Sequence, residues 1–270
     1  MIGTQLVEEL VQSVAVSHLV KGYSRVSLLL LAAPESGKTT IARSANCKHV
    51  IPVALLSGRS IMKEAIDNPA AEVLLFNDLS AVRALSQSAT ALAIVILNHY
   101  VQGEKGKVGF AGKEIADIDR PLGIIGCMPF KIFNDHRAKW REMGFVSRMI
   151  PFAYEYGDEL IAEIKDAIDE GTQIQRAATH ALKMPRTSKR VIAIELSPKL
   201  TKEVRRLADA RASSLGQLGI RLLQSYHCLV RAHALLYKRS AVTRDDMAFL
   251  RAVDAYVSIT KCTPLNGDVR

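Results

Sequence analysis

Apolar residues at Val7, Leu10, Val11 and Val14 recur with the spacing of one helix face, and Glu8, Glu9, Gln12 and Ser13 fall on the other. The pattern predicts a helix over residues 6–20, broken by Gly22-Tyr23-Ser24. The period then changes. Val26-Ser27-Leu28-Leu29-Leu30-Leu31-Ala32 is an almost continuous apolar run, the signature of a strand buried on both faces in a parallel sheet. A turn, Pro34-Glu35-Ser36-Gly37, leads into a helix predicted over residues 38–44. Further strands are predicted at residues 50–56, with Pro52 marking an edge position or a strand start, and at 73–76, ending in Asn77-Asp78. A helix over 80–100 and a hairpin or glycine-rich loop over 103–113 follow, and two more strands are predicted at 122–127, before Pro129, and at 149–154.

Beyond Tyr156 the pattern is mainly helical, with helices predicted at 158–182, 198–212, 216–237 and 244–260 and a short strand at 191–196. Thr243 suits the N-cap of the last helix, with Asp245 and Asp246 in its positive first turn. Strands alternating with helices argue for a parallel α/β sheet flanked by helices on both faces. The expected organisation is therefore an α/β core over 1–156 and a mainly helical part over 157–270.

Composition changes this picture little. An apolar fraction of 49% and a charged fraction of 23% describe a folded chain and exclude disorder. The apolar run of the first strand is far shorter than the roughly 20 residues needed to cross a bilayer. Met1-Ile2-Gly3-Thr4-Gln5 carries no cationic stretch ahead of a hydrophobic segment, so a cytoplasmic location without membrane attachment is expected. Cys47, Cys127, Cys228 and Cys262 form no C-x-x-C pair, which suggests neither a zinc cluster nor a disulfide framework. The histidines show no metal-ligand spacing, and His233 is expected to pack on its helix. The formal charge of +9 favours a polyanionic partner such as nucleic acid.

The clearest chemistry lies between the first strand and its helix. Ala32-Ala33-Pro34-Glu35-Ser36-Gly37-Lys38-Thr39-Thr40 follows a buried strand and opens a helix, the setting of a phosphate-binding loop. In such a loop the backbone N–H groups cradle anionic oxygens. Pro34, Glu35, Ser36, Gly37, Lys38, Thr39 and Thr40 would contact a nucleotide, with Lys38 on the β and γ phosphates and Thr39 on Mg²⁺. The full pattern has Gly where this chain has Ala32. At the end of the third strand, Asn77 and Asp78 stand where a carboxylate would face the loop and hold the hydrated metal. In one register Asp78 orients the attacking water and Asn77 replaces the metal carboxylate; in the other Asp78 is itself the metal ligand.

With these residues in view, the chain resembles the AAA+ ATPases, and its C-terminal part resembles the lid of the minichromosome maintenance helicases. The residues that carry this are Gly219-Ile220-Arg221-Leu222-Leu223, Leu229-Val230-Arg231-Ala232-His233-Ala234-Leu235-Leu236 and Ala241-Val242-Thr243-Arg244-Asp245-Asp246. The resemblance implies a P-loop α/β core, an all-helical lid, ATP with Mg²⁺, and a homo-oligomeric ring such as a hexamer. It implies that Arg221 is a second sensor on the γ phosphate. It also implies that Arg148, within Gly144-Phe145-Val146-Ser147-Arg148-Met149, is an arginine finger presented to the neighbouring subunit. The family's first sensor falls at Cys127-Met128, with Met128 where Asn is common. The segment 103–113 corresponds to a pore hairpin, in which Lys105, Lys107 and Lys113 would track a DNA backbone and Phe110 would stack on a base. Three readings follow: an ATP-driven ring acting on DNA as a helicase, helicase loader or related replication or mobile-element factor; a MoxR-like ATPase that remodels a protein partner; or a nucleotide-binding scaffold with little turnover, in keeping with Ala32, Asn77 and Met128.

Overall fold

The structure, a computed structural model, describes residues 3–54, 56–103, 106–110, 113–118, 120–170 and 191–265. Six strands form one all-parallel sheet: β1 (Leu28–Ala32), β2 (Val50–Pro52), β3 (Val73–Phe76), β6 (Gly123–Pro129), β7 (Ile150–Tyr156) and β8 (Thr263–Leu265). Their order is β2-β3-β6-β1-β7-β8. β1 is central because it is apolar throughout and buried along its whole length. Leu28 pairs with Ile125 on one side and with Ile150 on the other. The remaining two strands, β4 (Gly106–Phe110) and β5 (Lys113–Ile118), make a separate antiparallel hairpin.

The first helix, α1 (Gln5–Val16), buries Val7, Leu10, Val11 and Val14, the face its periodicity predicts. Helices α2 (Lys38–Ala42), α3 (Gly58–Asp67), α4 (Gln87–Gln102) and α5 (Phe130–Glu142) connect the strands of the sheet. After β7 come α6 (Asp158–Asp169), α7 (Pro198–Leu215), α8 (Ile220–Leu236) and α9 (Arg244–Ala255). The expected continuation of α6 to residue 182 lies outside the described residues. α8 and α9 pack on α1, so one apolar core runs from Val7 and Leu10 through Leu229 to Phe249 and Leu250. The C-terminal helices are thereby joined to the α/β sheet, and β8 extends that sheet beside β7.

A buried ionic knot fastens this junction. Asp246, fully buried, accepts hydrogen bonds from the Thr243 N–H at 2.7 Å and the Thr243 hydroxyl at 2.9 Å, closing the start of α9. It also faces His233 Nδ1 of α8 at 2.6 Å and pairs with Arg239. His233 Nε2 lies 3.6 Å from the Glu9 carboxylate of α1, an ionic contact beyond hydrogen-bond range. The ring stacks on Phe249 with centroids 3.9 Å apart.

Several expectations shift in detail. The helix expected over 80–100 is a 3-10 turn (Leu79–Ala84) followed by α4, which starts afresh after Ser86 accepts the Ala89 N–H. The strand expected at 191–196 is reduced to isolated bridges, Ile192 with Val20 and Glu195 with Ala241. Helices α3 and α5 and strand β8 were not anticipated. Among the described residues, no helix is long and apolar enough to cross a membrane.

Candidate functional site

The loop after β1 is shaped by backbone handedness at two points. Glu35 has φ +63° and Gly37 has φ +69°, both left-handed. Gly37 takes this without steric cost, whereas Glu35 bears a strain of about 1–2 kcal/mol. Ala32, where the full motif has Gly, is still in β1, paired with Pro129 and fully buried. Its backbone is extended, so the methyl group costs the loop nothing.

Three contacts hold the loop. The Ser36 hydroxyl donates to the Ala33 carbonyl at 2.7 Å. The hydroxyls of Tyr154 and Tyr156, from the end of β7, both donate to the Ser36 carbonyl, at 3.1 and 2.7 Å. Burial raises both phenols, Tyr156 to about 12, so they remain donors at neutral pH. Lys38 closes the turn from inside. Its buried ammonium donates to the Ala32 carbonyl at 3.1 Å, to the Ser36 hydroxyl at 3.0 Å and to the Ala33 carbonyl. Burial lowers the Lys38 pKa, opposed by the nearby Cys127, Asp78 and Cys262. The amine thus sits in the cup of the loop on neutral acceptors that a phosphate oxygen could replace.

Helix α2 is one turn of α-helix continued by a 3-10 turn over Arg43–Ala45, so the helical stretch covers the expected 38–44 while only its first five residues are α-helical. A helix this short adds little macrodipole, so the anion-binding capacity rests on the loop N–H groups and Lys38.

β6 lies between β1 and β3, which sets the end of β3 two strand spacings, roughly 9.5 Å, from the end of β1. Side chains bridge this gap. The Thr39 hydroxyl donates to the Asn77 carbonyl at 3.3 Å. The Asn77 side-chain oxygen is buried without a hydrogen-bond partner. Asp78 is exposed and accepts the Ser80 N–H at 2.8 Å, capping the 3-10 turn that follows. Among the described residues no cluster of three or more His, Cys, Asp or Glu is present. A metal here would rest on the Thr39 hydroxyl, one carboxylate and the oxygens of its own ligand, a donor set that fits Mg²⁺ held with phosphates. On β6 itself, Cys127 Sγ lies 3.7 Å from the Lys38 carbonyl, while strand alternation turns the fully buried Met128 to the other face. Burial raises the Cys127 thiol to about 12.

The two candidate arginines lie elsewhere. Arg148 precedes β7 and Arg221 sits in the first turn of α8, both at the N-terminal edge of the sheet, the end opposite the phosphate loop. The Arg148 guanidinium donates to Gln102 Oε1 and to the Gly144 carbonyl. Arg221 donates to the Ser147 hydroxyl at 3.1 Å. The chain therefore brings Lys38, Thr39, Asn77 and Asp78 together, and separately brings Arg148 and Arg221 together. Of the candidate hairpin residues, Lys107 and Phe110 lie on β4 and Lys113 on β5; Lys105 lies outside the described residues. The tyrosine pair on β7 was not foreseen, since Tyr154 and Tyr156 read only as part of a buried strand.

Comparison with protein-family models and with curated proteins finds no match to this chain. The fold is a parallel six-stranded α/β sheet flanked by helices, compatible with a P-loop nucleotide-binding fold.

Proposed function

We propose that this chain binds ATP with Mg²⁺ through the loop 34–40 and works as a P-loop ATPase of the AAA+ type acting on DNA. One observation carries the reading: Lys38 fills the cup of a left-handed loop after the central strand, with Thr39 set against the end of β3. On binding, Lys38 would exchange its contacts with the neutral oxygens of Ala32, Ala33 and Ser36 for phosphate oxygens, a gain because both partners of the new hydrogen bonds are charged. Bound Mg²⁺ would neutralise phosphate charge, with Thr39 and Asp78 as its protein-side partners. Asp78 would otherwise orient water, at the shorter reach of an aspartate. Arg148 and Arg221 lie at the far edge of the sheet, which suits contact with a nucleotide on a neighbouring copy in a homo-oligomer rather than with the chain's own loop. The basic charge of the chain and the lysines of the β4–β5 hairpin suit a nucleic-acid phosphate backbone.

A second reading, nucleotide binding with little turnover, is favoured by two features. Asp78 is occupied in capping Ser80, and Cys127, the β6 residue in contact with the Lys38 carbonyl, carries a thiol rather than an amide.

Calorimetry with ATP and Mg²⁺ tests the core of this proposal. The wild type should release heat with one site per chain, and Lys38→Ala should not; a folded wild-type sample that gives no heat would sink it. Multiple-turnover hydrolysis with and without DNA then decides between the two readings. Hydrolysis stimulated by DNA and abolished by Lys38→Ala selects the ATPase.

A further inference from the structure

A second site of one chemical character lies at the N-terminal edge of the sheet. A cavity of about 290 Å³ is lined by Ser24, Arg25, Gln102, Arg148, Arg221 and Gln224, with Val101 and Ser225. Its described lining carries three guanidinium groups, amides and hydroxyls, and no carboxylate. Each arginine is held by other groups of the chain. Arg25 is gripped by Glu72, Arg148 by Gln102 and the Gly144 carbonyl, and Arg221 by the Ser147 hydroxyl. Such anchoring reduces the side-chain entropy lost when a ligand arrives.

Helix α8 adds to the same field. It is 17 residues long, begins at a left-handed Gly219, has no side-chain cap and carries no acidic residue in its first turn. That turn holds Arg221, and the next holds Gln224 and Ser225, so the first two turns of α8 flank the cavity and its positive end lies close by. Arginines suit phosphate because a planar fork meets two oxygens at once. The volume suits a di- or triphosphate group rather than a whole nucleotide lying flat.

We propose that Arg25, Arg148 and Arg221, with Gln224 and the first turn of α8, form a second phosphate-binding pocket, distinct from the Lys38 loop and at the opposite end of the strands. Its ligand is a phosphate-bearing anion, supplied either free in solution or on a nucleotide held by another copy of this chain. For a free anion the pocket does not depend on what the Lys38 loop binds; for a nucleotide held by another copy it rests on the proposed reading of that loop.

The test is calorimetric titration with tripolyphosphate at low salt, where contacts with exposed arginines are least screened. Four proteins are compared: wild type, Lys38→Ala, and Lys38→Ala combined with either Arg221→Ser or Gln224→Glu. Arg221 and Gln224 are exposed, so neither change threatens folding, and Gln224→Glu places a carboxylate in the pocket while keeping every arginine. Lys38→Ala should retain one anion site per chain, and each pocket substitution should weaken it about ten- to a hundred-fold, the worth of one charged hydrogen bond. If wild type and Lys38→Ala titrate identically and only the pocket substitutions abolish binding, the pocket stands and the Lys38 loop reading falls. Sedimentation with ATP and Mg²⁺ identifies the other source: assembly lost in Lys38→Ala, Arg221→Ser and Gln224→Glu alike means that the phosphate comes from a second copy. The pocket is refuted if Lys38→Ala binds no tripolyphosphate and neither pocket substitution alters ATP-driven assembly.

Discussion

Replacing Asp246 by Asn probes how the C-terminal helices are held to the sheet. The side chain is fully buried and serves four donors: the Thr243 N–H and hydroxyl, His233 Nδ1 and Arg239. Asparagine keeps the volume but loses the charge, and one of its two heads becomes a donor that faces other donors. His233 is then left buried against Glu9 alone, and Arg239 loses its ion-pair partner. Removing one partner of a buried ionic pair costs about 3–5 kcal/mol. With an unfolding entropy of about 2.1 cal/mol/K per residue over 270 residues, that loss lowers Tm by roughly 5–9 °C. The pH dependence carries a second signature. Burial raises the Asp246 pKa, but hydrogen bonds from His233, Thr243 and Arg239 outweigh it and hold the carboxyl below its ordinary value. Burial lowers His233, but Asp246 and Glu9 outweigh it and hold the imidazole above its ordinary value. The Asp246 contribution is thus present above about pH 3.9 and is lost as pH falls through the lower folded-state value. The His233 contribution is present below about pH 6.5 and is lost as pH rises through the higher folded-state value. Thermal melts of wild type and Asp246→Asn from pH 2 to 9 check both limbs. A drop in Tm of less than 2 °C at pH 6, or parallel pH profiles, would refute the account of the knot.

Three other outcomes follow from the geometry. Gly144 has φ +70°, and a Cβ built there meets the Arg148 guanidinium, so Gly144→Ala should destabilise the fold by about 1–2 kcal/mol and displace Arg148, read as a lower Tm together with weaker tripolyphosphate uptake by the arginine pocket. Burial raises Cys127 and Cys228 to about 12, so alkylation at pH 8 followed by mass spectrometry should find these two thiols reacting at least about a hundred-fold more slowly than an ordinary cysteine; rapid labelling of either in the folded protein contradicts its burial. If the hairpin lysines meet a DNA backbone, Lys107→Ala and Lys113→Ala should each reduce the slope of log affinity against log salt by about 1, and an unchanged slope removes those residues from the interface.

The buried centre of the sheet was the most legible part of the sequence. Strand β3 runs over the residues expected for it, and the helical face of α1 was visible in four valines and leucines, because burial there imposes an unbroken or periodic apolar pattern. Helix α5 was missed because it fully buries only Phe133 and Trp140 among many charged and polar residues, with Pro129 reading as a stop rather than as the N-cap residue it is. Strand β8 was missed because it is three residues long, contains Pro264, and exists only through its pairing with β7. The loop at Lys38 was legible as a contiguous motif, and so was the cap at Thr243. The convergence of Arg25, Arg148 and Arg221 was not, since three segments far apart in the chain meet there only after folding. Nor could sequence show that Ala32 stays in the strand while the left-handed turn falls on Glu35 and Gly37.

Strand β7 ends in the two tyrosines that grip the Ser36 carbonyl and begins two residues after Arg148. Seven residues of extended chain make it a strut of about 23 Å with the Lys38 loop at one tip and the arginine cluster at the other. Between β1 and β8 it has hydrogen-bonded neighbours on both flanks and little freedom to bend. A rearrangement that lifted Ser36 away from those phenols would therefore act on the same strand whose other end adjoins Arg148.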